Sequence, residues 1–170
     1  MSIATTERLV IEAITIADAQ FILELMNTPH WLAYIGDRNV KTLHHAERAI
    51  KNTHLKSYRE NGFGFYKLLL KSENLIPIGV CGLIKREELD GVDIGFALLP
   101  EFEGKGFGFE SATEILKLAE NTFHLKEVIA IVSPENSNSI KLLEKLGLSY
   151  QKKVTPFPDK KELLLFSKRF

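Results

Sequence analysis

Three glycines stand at alternate positions in this sequence, at residues 104, 106 and 108. An apolar run that predicts a strand, 92–99, leads into them, and a helix-forming run, 110–121, follows. Glycine is needed where a chain turns sharply or where a ligand lies against bare backbone. The first turn of a helix also leaves N–H groups unpaired at the positive end of the helix dipole. The pattern therefore predicts a strand–loop–helix unit that binds an anion, above all a phosphate or pyrophosphate.

The order of these glycines separates the loop from two common phosphate-binding motifs. A P-loop would read GxxxxGK[ST], and the sequence contains no such run. The dinucleotide fingerprint GxGxxG would follow the first strand, with an acidic residue about 20 residues further on. Here Gly104-Lys-Gly-Phe-Gly comes late in the chain, after several predicted strands. A strand-to-helix turn that merely needs glycines is the plain alternative.

A second strand–turn–helix unit follows the glycine loop. Residues 128–132 predict a buried strand, a polar turn containing Pro-Glu-Asn-Ser-Asn-Ser comes next, and residues 137–146 predict a short helix. Its apolar residues Ile140, Leu143 and Leu146 share one face, and Gly147 is suited to end it.

These two units in this order resemble the GNAT acetyltransferases, and most closely the branch of RimJ/RimL ribosomal-protein N-terminal acetyltransferases. Three earlier pieces fit that branch as well: Thr6-Glu-Arg-Leu-Val-Ile, Trp31-Leu-Ala-Tyr-Ile-Gly-Asp-Arg and Ile78-Gly-Val-Cys-Gly-Leu. The resemblance covers almost the whole chain. The two strand–loop–helix motifs are strongly specific, and the earlier pieces are moderately so.

Length and composition indicate one cytoplasmic domain over residues 1–170. No apolar run approaches the roughly 18 residues of a membrane span, and no signal pattern opens the chain. Acidic and basic residues balance at 22 each, so a nucleic-acid partner is not expected. The single cysteine, Cys81, lies in an apolar strand, where a buried structural thiol is favoured over a nucleophile.

The periodicity predicts an α+β fold of seven strands and about four helices. The predicted strands are 8–13, 63–70, 76–85, 92–99, 128–132, 148–154 and 162–167. The predicted helices are 15–27 (capped by Thr15 or Asp18), 42–59, 107–122 and 137–146. The resemblance implies that these form a mixed, mostly antiparallel sheet, splayed open between the fourth and fifth strands to admit a pantetheine arm.

The resemblance implies an acetyl-CoA-dependent N-acetyltransferase that passes the acetyl group directly to a primary amine. The amine belongs either to a protein N-terminus, as in ribosomal-protein acetyltransferases, or to a small molecule. The chain is expected to act as a monomer or homodimer, without a membrane or nucleic-acid partner. The alternative is a catalytically degenerate module that senses acyl-CoA without turning it over.

Cofactor binding is expected to be mostly a backbone function. The N–H groups of Glu103, Gly104, Lys105, Gly106, Phe107 and Gly108 are predicted to hold the pyrophosphate. Glu103 is a departure from the family pattern, and its carboxylate must point away from phosphate. Lys105 either adds charge or is simply solvated. By resemblance the backbone of Phe96, Ala97 and Leu98 pairs with the pantetheine amides, and the side chain of Asn136 binds the same arm unless it only caps the helix.

Three residues are candidates for the chemistry. Asp93 interrupts an apolar strand and is a candidate base, with a salt bridge or solvent exposure as the alternative. Glu101, after Pro100, is a second candidate base or else is simply exposed. A relayed water is the alternative to a direct base. The family's usual tyrosine acid corresponds to Leu143, which cannot donate a proton. By resemblance, Ser139 matches the serine of the RimL-like branch and is a candidate to donate a hydrogen bond to the sulfur, with helix solubility or local capping as the alternative.

The loop 28–39 is long and aromatic, which is typical of a lid or a packed cover. Trp31 and Tyr34 within it are candidates for the wall of the acceptor site, with core packing as the alternative. No metal is expected, because adjacent His44 and His45 point about 100° apart on a helix and the other histidines are isolated.

Overall fold

The computed structural model describes residues 1–170 and has at its centre one eight-stranded mixed sheet. The strands are β1 (Ser2–Thr5), β2 (Leu9–Ala13), β3 (Phe65–Leu70), β4 (Ile76–Lys85), β5 (Val92–Leu98), β6 (Glu127–Val132), β7 (Ser149–Val154) and β8 (Leu163–Arg169). Their spatial order is β1-β2-β3-β4-β5-β6-β8-β7. All neighbours are antiparallel except β5 and β6, so the predicted α+β class and mostly antiparallel sheet are confirmed.

Strand β1 was not predicted from the sequence. It is only four residues long, its outer residues are exposed, and a bulge interrupts its pairing with β2. A short, half-exposed edge strand has too little hydrophobic alternation to be recognised from sequence.

The helices are α1 (Ala19–Leu25), α2 (Leu43–Ala49), α3 (Lys56–Asn61), α4 (Phe107–Asn121) and α5 (Ser137–Lys145). A π-helical segment, Ile50–Leu55, joins α2 to α3 and makes the predicted helix 42–59 one interrupted rod. The Thr42 hydroxyl accepts from the His45 N–H at 3.1 Å at its start, and Gly62, with φ of +77°, ends it.

Two apolar layers cover the sheet. The larger packs α4 and α5 against one face and contains Cys81, which is fully buried and whose pKa burial raises to about 12. The smaller packs α1 and α2 against the other face, near β4 and the end of β5. The sole thiol of the chain is thus a structural residue.

The parallel neighbours β5 and β6 are paired through a single residue pair, Asp93 and Ile129. Beyond that point the two strands are not paired, although β5 continues to Leu98 and β6 to Val132. The expected opening between the fourth and fifth predicted strands is therefore present, closed at Asp93 and open toward the glycine loop.

Candidate functional site

Six consecutive backbone N–H groups, from Gly104 to Phe109, have no acceptor within the chain. They lie where the loop enters α4, so the helix dipole adds its positive end to the same place. The Glu103 N–H, which was predicted to belong to this set, is donated to the Pro100 carbonyl at 3.2 Å. The run of N–H groups without an acceptor therefore covers residues 104–109, whereas residues 103–108 were predicted.

The three glycines serve two different purposes. Gly104 and Gly106 have φ of +70° and +84°, a left-handed conformation that side chains disfavour. Gly108 is buried, and a Cβ there would meet Leu142 Cδ2 at 3.1 Å. Gly104 and Gly106 thus shape the loop, while Gly108 lets α4 approach α5.

Glu103 directs its carboxylate to a residue outside the loop. Its Oε1 lies 2.8 Å from His30 Nδ1 in an exposed pair. Lys105 is exposed, and its Nζ lies 5.7 Å from the centre of the Phe102 ring. Neither side chain makes a hydrogen bond to the loop 104–109.

Arg8, which has no assigned role in the sequence analysis, contacts the loop directly. Its Nη1 donates to the Lys105 carbonyl at 2.9 Å and its Nε to Glu110 Oε2 at 2.7 Å. Its guanidinium also stacks on Phe107, 4.2 Å from the ring centre. In the sequence, Arg8 is part of the family-like motif Thr6-Glu-Arg-Leu-Val-Ile. It is 97 residues away from Lys105 in the chain, and only the fold brings the two residues into contact.

Phe96, Ala97 and Leu98 form the part of β5 that borders the opening, and each is partly exposed. Their strand pairs with β4 on its other side, so its free edge faces the opening. An unpaired strand edge can bind an extended ligand through backbone hydrogen bonds.

Asp93 lies at the closed end of the opening, on the same face of β5 as Gly95. It is only 2% exposed, and its carboxylate oxygens lie 3.3 and 3.4 Å from Arg86 Nε. Burial raises the pKa of Asp93 from 3.8 to about 6, and the Arg86 guanidinium offsets only part of that rise. The predicted alternative of a salt bridge is present, and burial still keeps the pKa of the carboxyl at about 6.

The raised pKa of Asp93 makes stability depend on pH. The folded chain holds this proton more tightly than the unfolded chain, so the unfolding free energy falls as pH rises from about 4 to about 6. The pKa difference corresponds to a loss of about 3 kcal/mol. We expect Asp93→Asn to lack this loss. The free energy of unfolding in urea, measured for wild type and variant at pH 4, 5, 6 and 7, should then differ between the two proteins by an amount that changes with pH. A constant difference across that range would contradict the assignment.

Asn136 and Ser139 meet at the start of α5. The Asn136 carboxamide oxygen accepts from the Ser139 N–H at 3.3 Å, so Asn136 caps the helix. Neither Asn136 Nδ2 nor the Ser139 hydroxyl has a hydrogen-bond partner within the chain, so both remain available. Leu143 is buried in the larger apolar layer and does not face the opening.

The remaining candidates differ in their surroundings. Glu101 is exposed on the short turn Pro100–Phe102, at the loop end of the opening. Trp31 and Tyr34 lie on a single π-helical turn, Trp31–Ile35, in which Tyr34 is 39% exposed and Trp31 packs against the smaller apolar layer.

Two buried side-chain atoms have no hydrogen-bond partner: Trp31 Nε1 and His54 Nδ1. Each belongs to one of the two π-helical segments, which often occur at functional sites. The His54 ring packs edge-on against Phe65, whose Cζ lies 2.8 Å from where a Gly95 Cβ would be. Burial lowers the pKa of His54 to about 4, so its ring is neutral at pH 7. Nothing in the sequence distinguished this isolated histidine.

No group of three or more His, Cys, Asp or Glu side chains is arranged to hold a metal ion. None of the helices has both the length and the apolar character that crossing a membrane requires.

Comparison with known proteins agrees with this geometry. A family model described as "Acetyltransferase (GNAT) domain" matches residues 8–149. The uncharacterized N-acetyltransferase p20 of Bacillus licheniformis is 27% identical over 148 residues, or 86% of this chain and 81% of that protein. An acetyltransferase structure from Agrobacterium tumefaciens strain C58 gives a TM-score of 0.82 at 22% identity, covering 98% of this chain and 94% of the other.

A further structure is that of RimL, a ribosomal L7/L12 α-N-protein acetyltransferase, in complex with coenzyme A. It gives a TM-score of 0.83 at 13% identity and covers 100% of this chain and 98% of the other. At such identities the two structural similarities establish the fold alone.

Proposed function

This chain belongs to the GNAT acetyltransferase family, and we propose that it binds acetyl-CoA on the loop 104–109 and acetylates a primary amine. The observation that carries the proposal is the run of six free N–H groups between Gly104 and Phe109. Such a run at a helix start suits a pyrophosphate, because each phosphate oxygen accepts several hydrogen bonds without needing a lysine or arginine. Acetyl-CoA is the cofactor of GNAT acetyltransferases, and it supplies the acetyl group as a thioester.

The free edge of β5 is the proposed site of the pantetheine arm. The backbone of Phe96, Ala97 and Leu98 would hydrogen-bond its amides as a strand pairs with an added strand. Asn136 follows β6 on the opposite side of the opening, and its unpartnered Nδ2 can donate to the same arm. This arrangement keeps the proposed role of Asn136 compatible with its role as helix cap.

The transfer replaces a carbon–sulfur bond with a carbon–nitrogen bond and moves one proton. The amine nitrogen bonds to the thioester carbonyl carbon, the carbon–sulfur bond breaks, the amine loses a proton and the CoA thiolate gains one. We assign the removal of the amine proton to Asp93, since its pKa of about 6 leaves it ionised at pH 7 and close to the ideal for a base.

Position along β5 favours Asp93 over Glu101 as the base. Glu101 lies on the turn that enters the phosphate loop, whereas Asp93 lies at the other end of the strand, five residues or about 17 Å before Leu98. An arm anchored by its phosphates at the loop directs its reactive end away from Glu101. We assign Ser139 a hydrogen bond to the departing sulfur, because its hydroxyl lacks a partner within the chain.

The proposed acceptor is a protein N-terminal amine, the kind of group that RimL, a ribosomal L7/L12 α-N-protein acetyltransferase, acts on. Trp31 and Tyr34 are proposed to form part of its wall. Leu32, Tyr34 and Ile35 are 38–40% exposed, an apolar surface that suits a peptide better than a small polyamine. A small-molecule amine remains the second acceptor class to be tested.

Calorimetric titration with acetyl-CoA, followed by thiol release with N-terminal peptides and small amines, tests the proposal. We expect saturable one-to-one binding and turnover with at least one peptide. Binding without turnover on any amine would instead favour the alternative of an acyl-CoA sensor. Absence of binding would contradict the assignment of the loop.

A further inference from the structure

We propose that Arg8 is a positioning residue that fixes the peptide plane between Lys105 and Gly106, so that the loop presents its N–H groups to the phosphates. This inference rests on the proposed function of the loop. It concerns a residue far from the glycine motif in sequence, just ahead of β2, and assigns it no contact with the acetyl group or the amine.

One guanidinium contacts three successive parts of the phosphate-binding unit. Nη1 donates to the Lys105 carbonyl at 2.9 Å, the planar group lies 4.2 Å from the centre of the Phe107 ring, and Nε pairs with Glu110 at 2.7 Å. The five N–H donors of arginine lie in one rigid plane, so these contacts fix the loop and the first turn of α4 relative to each other. A lysine cannot reproduce them, because its ammonium is a single point charge.

The contact with the Lys105 carbonyl determines where the next N–H points. In a trans peptide the C=O and the following N–H point in opposite directions within one plane. Because Arg8 holds the Lys105 carbonyl on its own side, the Gly106 N–H is directed to the other side. The carbonyl's partial negative charge is also kept away from a bound anion.

Gly106 is closely fitted to this arrangement. Its φ of +84° is the conformation that lets the chain turn into α4 immediately after the fixed peptide. A Cβ at this position would lie 3.3 Å from Arg8 Nη2, so the arginine occupies the space directly behind the loop. The arginine and the glycine therefore act as a pair.

Glu110 keeps Arg8 in place beside the loop. Its Oε1 accepts from the Arg8 backbone N–H at 2.8 Å and from the Thr6 hydroxyl, while Oε2 accepts from Arg8 Nε. Burial alone would raise the pKa of Glu110, but the hydrogen bonds from Thr6 and Arg8 outweigh it and lower the pKa, so the carboxylate stays ionised. Nε and Nη1 are thus paired with protein acceptors, and Nη1 acts on the loop through the Lys105 carbonyl.

The test compares Arg8→Lys and Arg8→Met with wild type, using acetyl-CoA and phosphate-free S-acetylpantetheine. The control is Arg169→Met, which removes a different arginine–glutamate pair, between Arg169 and Glu127 at 3.6 Å. Loss of hydrogen bonds from a charged donor predicts that both Arg8 variants weaken acetyl-CoA binding about 10- to 100-fold. We expect kcat at saturating acetyl-CoA, and kcat/KM with S-acetylpantetheine, to stay within about twofold of wild type, because Arg8 touches no reacting atom.

Each outcome bears on the inference. Arg8→Lys binding acetyl-CoA as tightly as wild type would overturn it, as would equal losses with both thioesters, which indicate a general structural role. Wild-type protein that fails to bind acetyl-CoA would overturn the proposed function and this inference together. Wild-type binding with unchanged Arg8 variants overturns the inference alone.

Discussion

Replacing Asp93 with asparagine is expected to lower kcat by about 10²- to 10⁴-fold, the usual contribution of a positioned general base. The acetyl-CoA affinity should be nearly unchanged, because Asp93 lies at the closed end of the β5–β6 opening, away from the loop 104–109. Wild-type kcat/KM should fall below about pH 6 as Asp93 takes up its proton, and the variant should lack that inflection. Initial rates between pH 5 and 9 measure both effects.

A matched control separates catalysis from loss of a buried ion pair. Asp18→Asn removes a carboxylate that pairs with Lys67 at 2.9 Å, away from the opening, and should lower stability with little effect on kcat. If Asp93→Asn keeps the wild-type pH profile, Asp93 is not the base and its pair with Arg86 is structural. If Glu101→Gln removes the inflection instead, the base is at the loop end of β5.

Gly106→Val is expected to weaken acetyl-CoA binding by about 100-fold or more while leaving a folded protein. A valine at φ of +84° costs roughly 1–2 kcal/mol of backbone strain. Its Cβ would also lie 3.3 Å from Arg8 Nη2, so either the arginine or the loop must move. If the loop moved to relieve the strain and the close contact, its free N–H groups would point in other directions. Each 1.4 kcal/mol of binding free energy lost in this way weakens the affinity tenfold.

Gly62→Val provides the matched control for backbone strain. Gly62 has nearly the same φ, +77°, and a Cβ there would meet nothing within 4 Å. Calorimetry on both variants, together with thermal unfolding, separates strain from ligand binding. Equal acetyl-CoA affinity in the two variants would mean that the loop does not hold the phosphates.

The features that could be predicted from sequence are those in which neighbouring residues determine the structure. Gly104 and Gly106 identify the loop, and Thr42 and Gly62 mark the ends of a helical rod, because caps and left-handed turns depend on a few adjacent residues. The opening beside β5 was expected from family resemblance alone. No local sequence pattern determines where the hydrogen bonds between two neighbouring strands end. Residue roles that depend on a single side chain, such as that of Asp93, remain predictions.

The features that escaped prediction are those made by contacts between distant residues. Arg8 reaches Lys105 only because β1 and β2 bring the start of the chain beside α4. His54 is distinguished only by its Nδ1, which the fold buries without a hydrogen-bond partner. Glu103 was expected to donate its N–H to a ligand, but in the folded chain this N–H donates to the Pro100 carbonyl within a tight turn. Competition for a hydrogen-bond donor is decided by the folded geometry.

The position of Cys81 has a practical consequence for how acyl transfer can be followed. A thiol in the core, with its pKa raised to about 12, is neither ionised at neutral pH nor accessible, and the thiolate is the form that attacks. The folded chain therefore offers an acetyl thioester no sulfur nucleophile, and it resists forming a mixed disulfide with released coenzyme A. A disulfide reagent that changes colour on reaction with thiols will report the liberated cofactor without a background from the native protein.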